Sequence, residues 1–121
     1  LRTYKLIKPE TLKLMISDRL TDVQKETFWS KDTHGYGLGV RCSKGDGINL
    51  DFGWGGAAGA YLAVDVENGI SIYFGTHLLL SPVQGLRFML YRFVRAELID
   101  NNEFEGVYNY LKELHNYNLT Y

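Results

Sequence analysis

The sequence has a single cysteine, Cys42, and almost no net charge, with 13 lysines and arginines against 14 aspartates and glutamates. A lone thiol excludes an internal disulfide. The charge balance excludes a generic electrostatic binder of nucleic acid, because such domains are strongly basic. No uncharged apolar run approaches the roughly 18 residues of a membrane span. We therefore expect neither a nucleic-acid partner nor a membrane span.

The sequence also lacks the spacings that metal and phosphate sites require. His34, His77 and His115 lie about 40 residues apart, so none shares a short ligand spacing with another. The glycines fit neither a P-loop nor a glycine turn entering a helix. We expect no metal and no other cofactor. Cys42 has no base identifiable from the sequence, which favours a structural thiol over a nucleophile.

The length of 121 residues indicates one domain over residues 1–121, and 45% apolar residues are enough for a core. Because the chain begins with Leu1 rather than methionine, we expect a processed or excised piece of a longer protein. The localisation, cytoplasmic or exported, stays open for the same reason.

Glycine is concentrated in one region. Nine of the 13 glycines lie within residues 35–59. Glycine is disfavoured inside ordinary helices and strands, so this cluster marks a place where the backbone turns sharply or approaches another group closely. The function is to be sought there.

Periodicity and turn signals predict a mixed fold. We expect a short helix beginning near Pro9, a polar segment over residues 21–34 that is mostly loop with a turn of helix, and four antiparallel strands in sequence order. The predicted strands cover residues 36–42, 50–56, 60–66 and 70–77. A long helix over residues 83–99 and a last helix over 103–115 follow. Arg87, Arg92 and Arg95 are expected on a solvated or ion-paired face of the long helix.

The pair Asn68-Gly69 predicts a two-residue hairpin loop. That loop pairs Val66 with Ser71 and Val64 with Tyr73. Both faces of the hairpin carry apolar side chains, which indicates cover on both sides. The fold class is therefore α+β, an antiparallel sheet flanked by helices.

The segment of residues 52–61, FGWGGAAGAY, has two interpretations of nearly equal weight. As structure alone, it is a strand of small residues that turns tightly into the next strand. As a functional segment, its small residues let a ligand lie against the strand edge, where backbone N–H groups can bind an oxyanion.

Three blocks of the sequence resemble one superfamily. HGYGLGV at residues 34–40, FGWGGAAGAYLAVDVENGISIYFGTH at residues 52–77 and the opening KLIKPETLKLM are similar to the C-terminal part of serine β-lactamase-like hydrolases. This superfamily contains class C β-lactamases, penicillin-binding DD-peptidases and related esterases. The resemblance covers residues 6 to about 100, and Val66 stands where proline is common. Residues from about 101 to 121 look like an extension.

The resemblance implies specific roles for the glycine-rich segment. Trp54, Gly55 and Gly56 take the position of the K-T-G motif, which borders the substrate, and the Ala57 backbone N–H becomes an oxyanion donor. The fold implied is the C-terminal part of the β-lactamase/transpeptidase-like fold. Its substrates are small esters, amides or β-lactams. Because Trp54 replaces a cation, the resemblance favours an esterase or amidase over a β-lactamase.

The superfamily's nucleophile is missing from this chain. None of the five serines has a lysine three residues later, and no Y-x-N or S-D-N motif occurs. We therefore expect the chain alone to be inactive, as part of a longer serine hydrolase. The alternative is a stand-alone binding or assembly module without catalysis. An isolated fragment of such a sheet is also expected to self-associate through an exposed edge or apolar face.

Overall fold

The fold is described from a computed structural model over residues 6–45, 49–79 and 84–99, with Glu105, Tyr108, Asn109 and Lys112. Its elements are, in chain order, α1 (Pro9–Met15), α2 (Asp22–Thr27), β1 (His34–Tyr36), β2 (Arg41–Ser43), β3 (Phe52–Gly55), β4 (Tyr61–Asp65), β5 (Ile70–Phe74) and α3 (Gln84–Leu98). The strands form one antiparallel sheet in the order β1-β2-β3-β4-β5. The predicted α+β class and the sequence order of the strands are confirmed.

Internal contacts divide the chain into two compact units, Leu1–Gly53 and Trp54–Tyr121. The prediction of one domain over residues 1–121 stays a prediction. The proposed extension and the predicted helix over residues 103–115 lie mostly outside the described residues. The four residues described there are helical, and the Lys112 ammonium lies 4.4 Å from the Tyr108 ring centroid.

The first unit begins with two short helices. Pro9 stands in the first turn of α1, as predicted, where its missing N–H costs nothing. The following segment, residues 21–34, was predicted to be mostly loop with a turn of helix, and residues 22–27 form that helix, α2. A capping box starts it: the Gln24 N–H donates to Thr21 Oγ1 at 3.4 Å, and the Thr21 N–H donates to Gln24 Oε1 at 2.9 Å. The spacing T-x-x-Q is the signal for this helix.

The glycine-rich segment after α2 is a hairpin, so the prediction of one strand over residues 36–42 is wrong. β1 and β2 are joined by a tight turn in which the Gly37 N–H donates to the Val40 carbonyl at 2.8 Å. An added Cβ at Gly37 would lie 1.9 Å from the last carbonyl oxygen of α1. The glycine therefore permits both the turn and the close approach of the helix end.

In the second unit, β4 and β5 form the predicted hairpin with a different loop. Residues 66–69 form a four-residue turn, and the register pairs Val64 with Ser71 and Leu62 with Tyr73. The predicted pairs are therefore wrong by two residues, although each residue keeps its predicted face. The longer turn forms because Asp65 accepts hydrogen bonds from the Asn68 backbone at 3.1 Å and from its side chain at 2.7 Å.

Helix α3 confirms the long helix predicted after residue 82. It packs against β4 and β5, and the core of this unit contains Tyr61, Ala63, Ile70 and Tyr91. The other face of the hairpin is exposed, with 76% of Tyr73 accessible to solvent. The prediction that both faces of the hairpin are covered is therefore met on one face only, where α3 packs. Self-association through the exposed face stays a prediction.

Among the described residues, every helix is too short or too polar to cross a lipid bilayer.

Candidate functional site

The four residues singled out in the sequence are contiguous at the end of β3. Trp54 and Gly55 are the last two residues of the strand, and Gly56 and Ala57 begin the turn toward β4. The Gly56 N–H donates to the Ala60 carbonyl at 2.8 Å. This hydrogen bond closes the turn at its base.

Solvent reaches this strand end. Trp54 is 39% exposed and Ala57 is exposed, while Gly55 and Gly56 are half-buried. A residue beyond β5 also holds the turn in place, because the Leu78 N–H donates to the Ala58 carbonyl at 2.9 Å. An accessible but fixed backbone is what a binding edge requires.

The two glycines of the turn, Gly56 and Gly59, differ in whether the surrounding structure requires a glycine. Gly59 has φ of +99°, and an added Cβ would lie 2.5 Å from the Thr76 side chain, so the turn itself requires glycine there. At Gly56, an added Cβ would make only ordinary contacts of 3.8 and 3.9 Å with Ala60. The contacts among the described residues do not explain Gly56. Glycine at the end of a strand marks a tight bend or a place that a ligand or another backbone approaches closely.

Arg87 reaches this turn from α3. The arginine is only 6% exposed, and its Nη1 donates to the Gly56 carbonyl at 2.6 Å. Of the two predicted alternatives, a solvated or an ion-paired face, the solvated one is wrong for Arg87. The signal that was missed is helical spacing: Arg87 stands four residues before Tyr91, which is buried in the core.

The first unit contains a separate buried polar cluster of His34, Arg41 and Asp51. His34 Nε2 and Asp51 Oδ1 are 3.1 Å apart, and Arg41 donates to the other oxygen of the same carboxylate. Burial alone would raise the pKa of Asp51, but the hydrogen bond from His34 and the charge of Arg41 outweigh it and lower that pKa. Thr33 Oγ1 lies 2.9 Å from His34 Nδ1.

This cluster joins three segments of the first unit. His34 comes from β1, Arg41 from β2, and Asp51 immediately precedes β3. A hydroxyl, an imidazole and a carboxylate in series resemble a proton relay, but the guanidinium of Arg41 neutralises the carboxylate. The arrangement is therefore that of a structural ion pair, and the sequence did not indicate it, because its members are 7 to 17 positions apart.

A second buried carboxylate ties the hairpin to α3. The Tyr91 hydroxyl donates to Asp65 Oδ2 at 2.8 Å, and Asn68 donates to the same side chain. Burial alone would raise the pKa of Asp65, but the hydrogen bonds from Asn68 and Tyr91 lower it. The carboxylate is thus charged and fixed at neutral pH.

Among the described residues, the single thiol is not activated and no metal cluster occurs. Cys42 is buried, and burial together with the negative charge of Asp18 raises the pKa of its thiol to about 11. Such a thiol is protonated at neutral pH and unreactive, which agrees with a structural role. The described part of the chain has no group of three histidine, cysteine, aspartate or glutamate side chains that could hold a metal ion. His77 is exposed beyond β5, and His115 lies outside the described residues.

No protein-family model, curated protein or solved structure matches the chain.

Proposed function

We propose that this chain is the C-terminal part of a serine hydrolase of the β-lactamase-like superfamily, and that its nucleophile lies outside the chain. In this role, the end of β3 borders the acyl group of the substrate, and the Ala57 backbone N–H is one oxyanion donor. The substrates are small esters, amides or β-lactams that react through an acyl-enzyme.

The main observation that supports the proposal is the glycine at position 56. Among the described residues, an added Cβ at Gly56 would make only ordinary contacts. Gly56 is nevertheless flanked by Gly55 and Ala57, so three successive residues have almost no side-chain volume. With the partly exposed Trp54 before them, these residues form an accessible strand end against which an acyl group can lie.

The chemistry of this strand end is electrostatic. When a serine hydroxyl attacks an ester carbonyl, the carbonyl oxygen becomes an oxyanion that needs fixed donors at hydrogen-bond distance. A backbone N–H in a turn of fixed conformation meets that need, because it does not have to move when the oxyanion forms. The hydrogen bonds from Leu78 to Ala58 and from Arg87 to Gly56 hold this turn in place.

Trp54 favours neutral acyl groups. Its indole offers one N–H donor and no charge, whereas a cation at this position would bind a substrate carboxylate by a charge-assisted hydrogen bond. We therefore propose an esterase or amidase rather than an efficient β-lactamase.

The test compares the isolated 121-residue chain with the full-length protein that contains it. We expect the chain to hydrolyse p-nitrophenyl esters and a chromogenic cephalosporin no faster than buffer, because it has no S-x-x-K serine. The full-length protein is expected to hydrolyse the short-chain ester.

The control is the full-length protein with the serine of its S-x-x-K motif replaced by alanine, which should be inactive. Turnover by the isolated chain, or a folded full-length protein with no hydrolytic activity, would contradict the proposal. The second result would favour a stand-alone binding or assembly module.

A further inference from the structure

The segment that follows β5 runs beside the turn at the end of β3. The Thr76 side chain lies against Gly59, where an added Cβ would be only 2.5 Å from it, and the Leu78 N–H donates to the Ala58 carbonyl at 2.9 Å. Ala58 is two residues beyond Gly56, so their Cα atoms are at most about 7 Å apart. The backbone of Leu78 is therefore held next to the strand end.

The side chain of Leu78 offers apolar surface at this place. It is 56% exposed, and the next residue, Leu79, is exposed as well. Binding sites for small molecules are lined mostly by apolar side chains, with a few polar groups that orient the ligand. Exposed leucine beside the proposed acyl site therefore suits an apolar part of the substrate.

The segments around this surface carry almost no charge. Residues 52–64 and 70–86, which contain the turn and the segment beside it, have no acidic or basic side chain other than His77. Arg87, the cation that contacts the turn, is buried and donates to the Gly56 carbonyl. Charge complementarity therefore favours an uncharged apolar ligand over an anionic one, because a charged group that loses its water needs a charged or hydrogen-bonding partner.

We infer that Leu78 is a specificity-determining residue that binds the acyl chain of the substrate, and that the substrates are uncharged esters with a medium-length acyl chain. This inference rests on the proposed function, which places the acyl group against the end of β3. An acetyl group ends beside the strand, whereas a longer chain continues along the turn to Leu78. The leucine contacts the chain and takes no part in breaking the ester bond.

The experiment measures the acyl-chain preference of the full-length protein. It compares kcat/KM for p-nitrophenyl octanoate with kcat/KM for p-nitrophenyl acetate, because the two esters share a leaving group and differ only in the chain. We expect the unmodified protein to prefer the octanoate ester by about 10-fold or more, since each methylene that leaves water against the leucine strengthens binding.

Substitution of Leu78 should reduce this preference. We expect Leu78→Asn, which has a similar volume and a polar amide, to lower the ratio of octanoate to acetate kcat/KM by about 5- to 10-fold. Leu78→Met stays apolar and should keep most of the preference. Every variant retains the backbone N–H that donates to Ala58, so the turn is held in the same way.

The matched control is Leu98→Asn. Leu98 is the last residue of α3 and is 69% exposed, and it lies about 17 Å along the helix from Arg87. The control makes the same chemical change at an exposed leucine outside the proposed site, and it should leave the ratio unchanged. A ratio that falls equally in both variants, or that does not change in Leu78→Asn, would overturn the role of Leu78.

The unmodified protein also separates this inference from the proposed function. An active full-length protein whose kcat/KM falls steadily from acetate through hexanoate to octanoate would overturn the inference and leave the proposed function standing. A folded full-length protein that hydrolyses none of these esters would contradict the proposed function and, with it, the role of Leu78.

Discussion

Replacing Asp51 by asparagine is expected to lower the free energy of unfolding at pH 7 by about 3–5 kcal/mol. Asp51 is 1% exposed, and its two carboxylate oxygens are bound to Arg41 and to His34. An asparagine has nearly the same shape but no charge. The substitution therefore removes the negative charge that the buried Arg41 guanidinium binds.

Urea unfolding of the chain, followed by circular dichroism, measures this loss. The matched control is Asp32→Asn, because Asp32 is exposed, and it should change the stability by less than about 0.5 kcal/mol. A loss for Asp51→Asn no larger than that of the control would contradict the buried ion pair.

The same variant has a defined pH dependence. The pKa of Asp51 is lower in the folded chain than the unfolded value of about 3.9. The stability that the carboxylate contributes is therefore fully present above the unfolded pKa, and it is lost as the pH falls through the folded pKa. The stability difference between the unmodified chain and Asp51→Asn should shrink below about pH 4. A difference that stays constant between pH 7 and pH 3 would contradict this account.

The substrate preference of the full-length protein should change when Trp54 becomes lysine. A cation at the strand end offers a charged hydrogen bond to the carboxylate of a cephalosporin, worth about 1.5–3 kcal/mol. The ratio of kcat/KM for a cephalosporin to kcat/KM for a neutral p-nitrophenyl ester should therefore rise by about 10- to 100-fold. In the unmodified protein, the ester should be the better substrate.

A second tryptophan provides the control. Trp29 is exposed in the first unit, so Trp29→Lys makes the same chemical change outside the proposed site and should leave the ratio unchanged. Efficient cephalosporin turnover by the unmodified protein, at or above its ester rate, would contradict the assignment of Trp54 to substrate selection. An equal response of the ratio to both substitutions would contradict it as well.

The parts of the fold that could be predicted are those that depend on patterns of residues close together in the sequence. The helix α3 and the order of the strands follow from apolar periodicity, and both are found in the structure. The register of the last hairpin did not follow from the pair Asn68-Gly69. Asp65 accepts a hydrogen bond from Asn68, and the loop is two residues longer than predicted. The dipeptide Asn68-Gly69 does not indicate this interaction, because Asp65 lies outside it.

Only those residues of the candidate site that are contiguous in the sequence could be predicted. Trp54, Gly55, Gly56 and Ala57 stand in one short motif, whereas Arg87 joins the same turn from a position 31 residues away from Gly56. An arginine on an amphipathic helix usually faces solvent, which favoured a solvated or ion-paired face. The spacing of Arg87 from Tyr91 could have indicated its burial, but only tertiary packing shows that it binds the Gly56 carbonyl.

The central claim is that this chain supplies the strand end of a serine hydrolase whose nucleophile lies outside it. Fluorophosphonate labelling of the full-length protein, with the labelled peptide identified by mass spectrometry, tests it most directly. We expect one label per molecule, on the serine of an S-x-x-K motif preceding residue 1, and no label on the five serines of the 121-residue chain. A stoichiometric label on any of these five serines, or a folded full-length protein that takes no label, would contradict the claim.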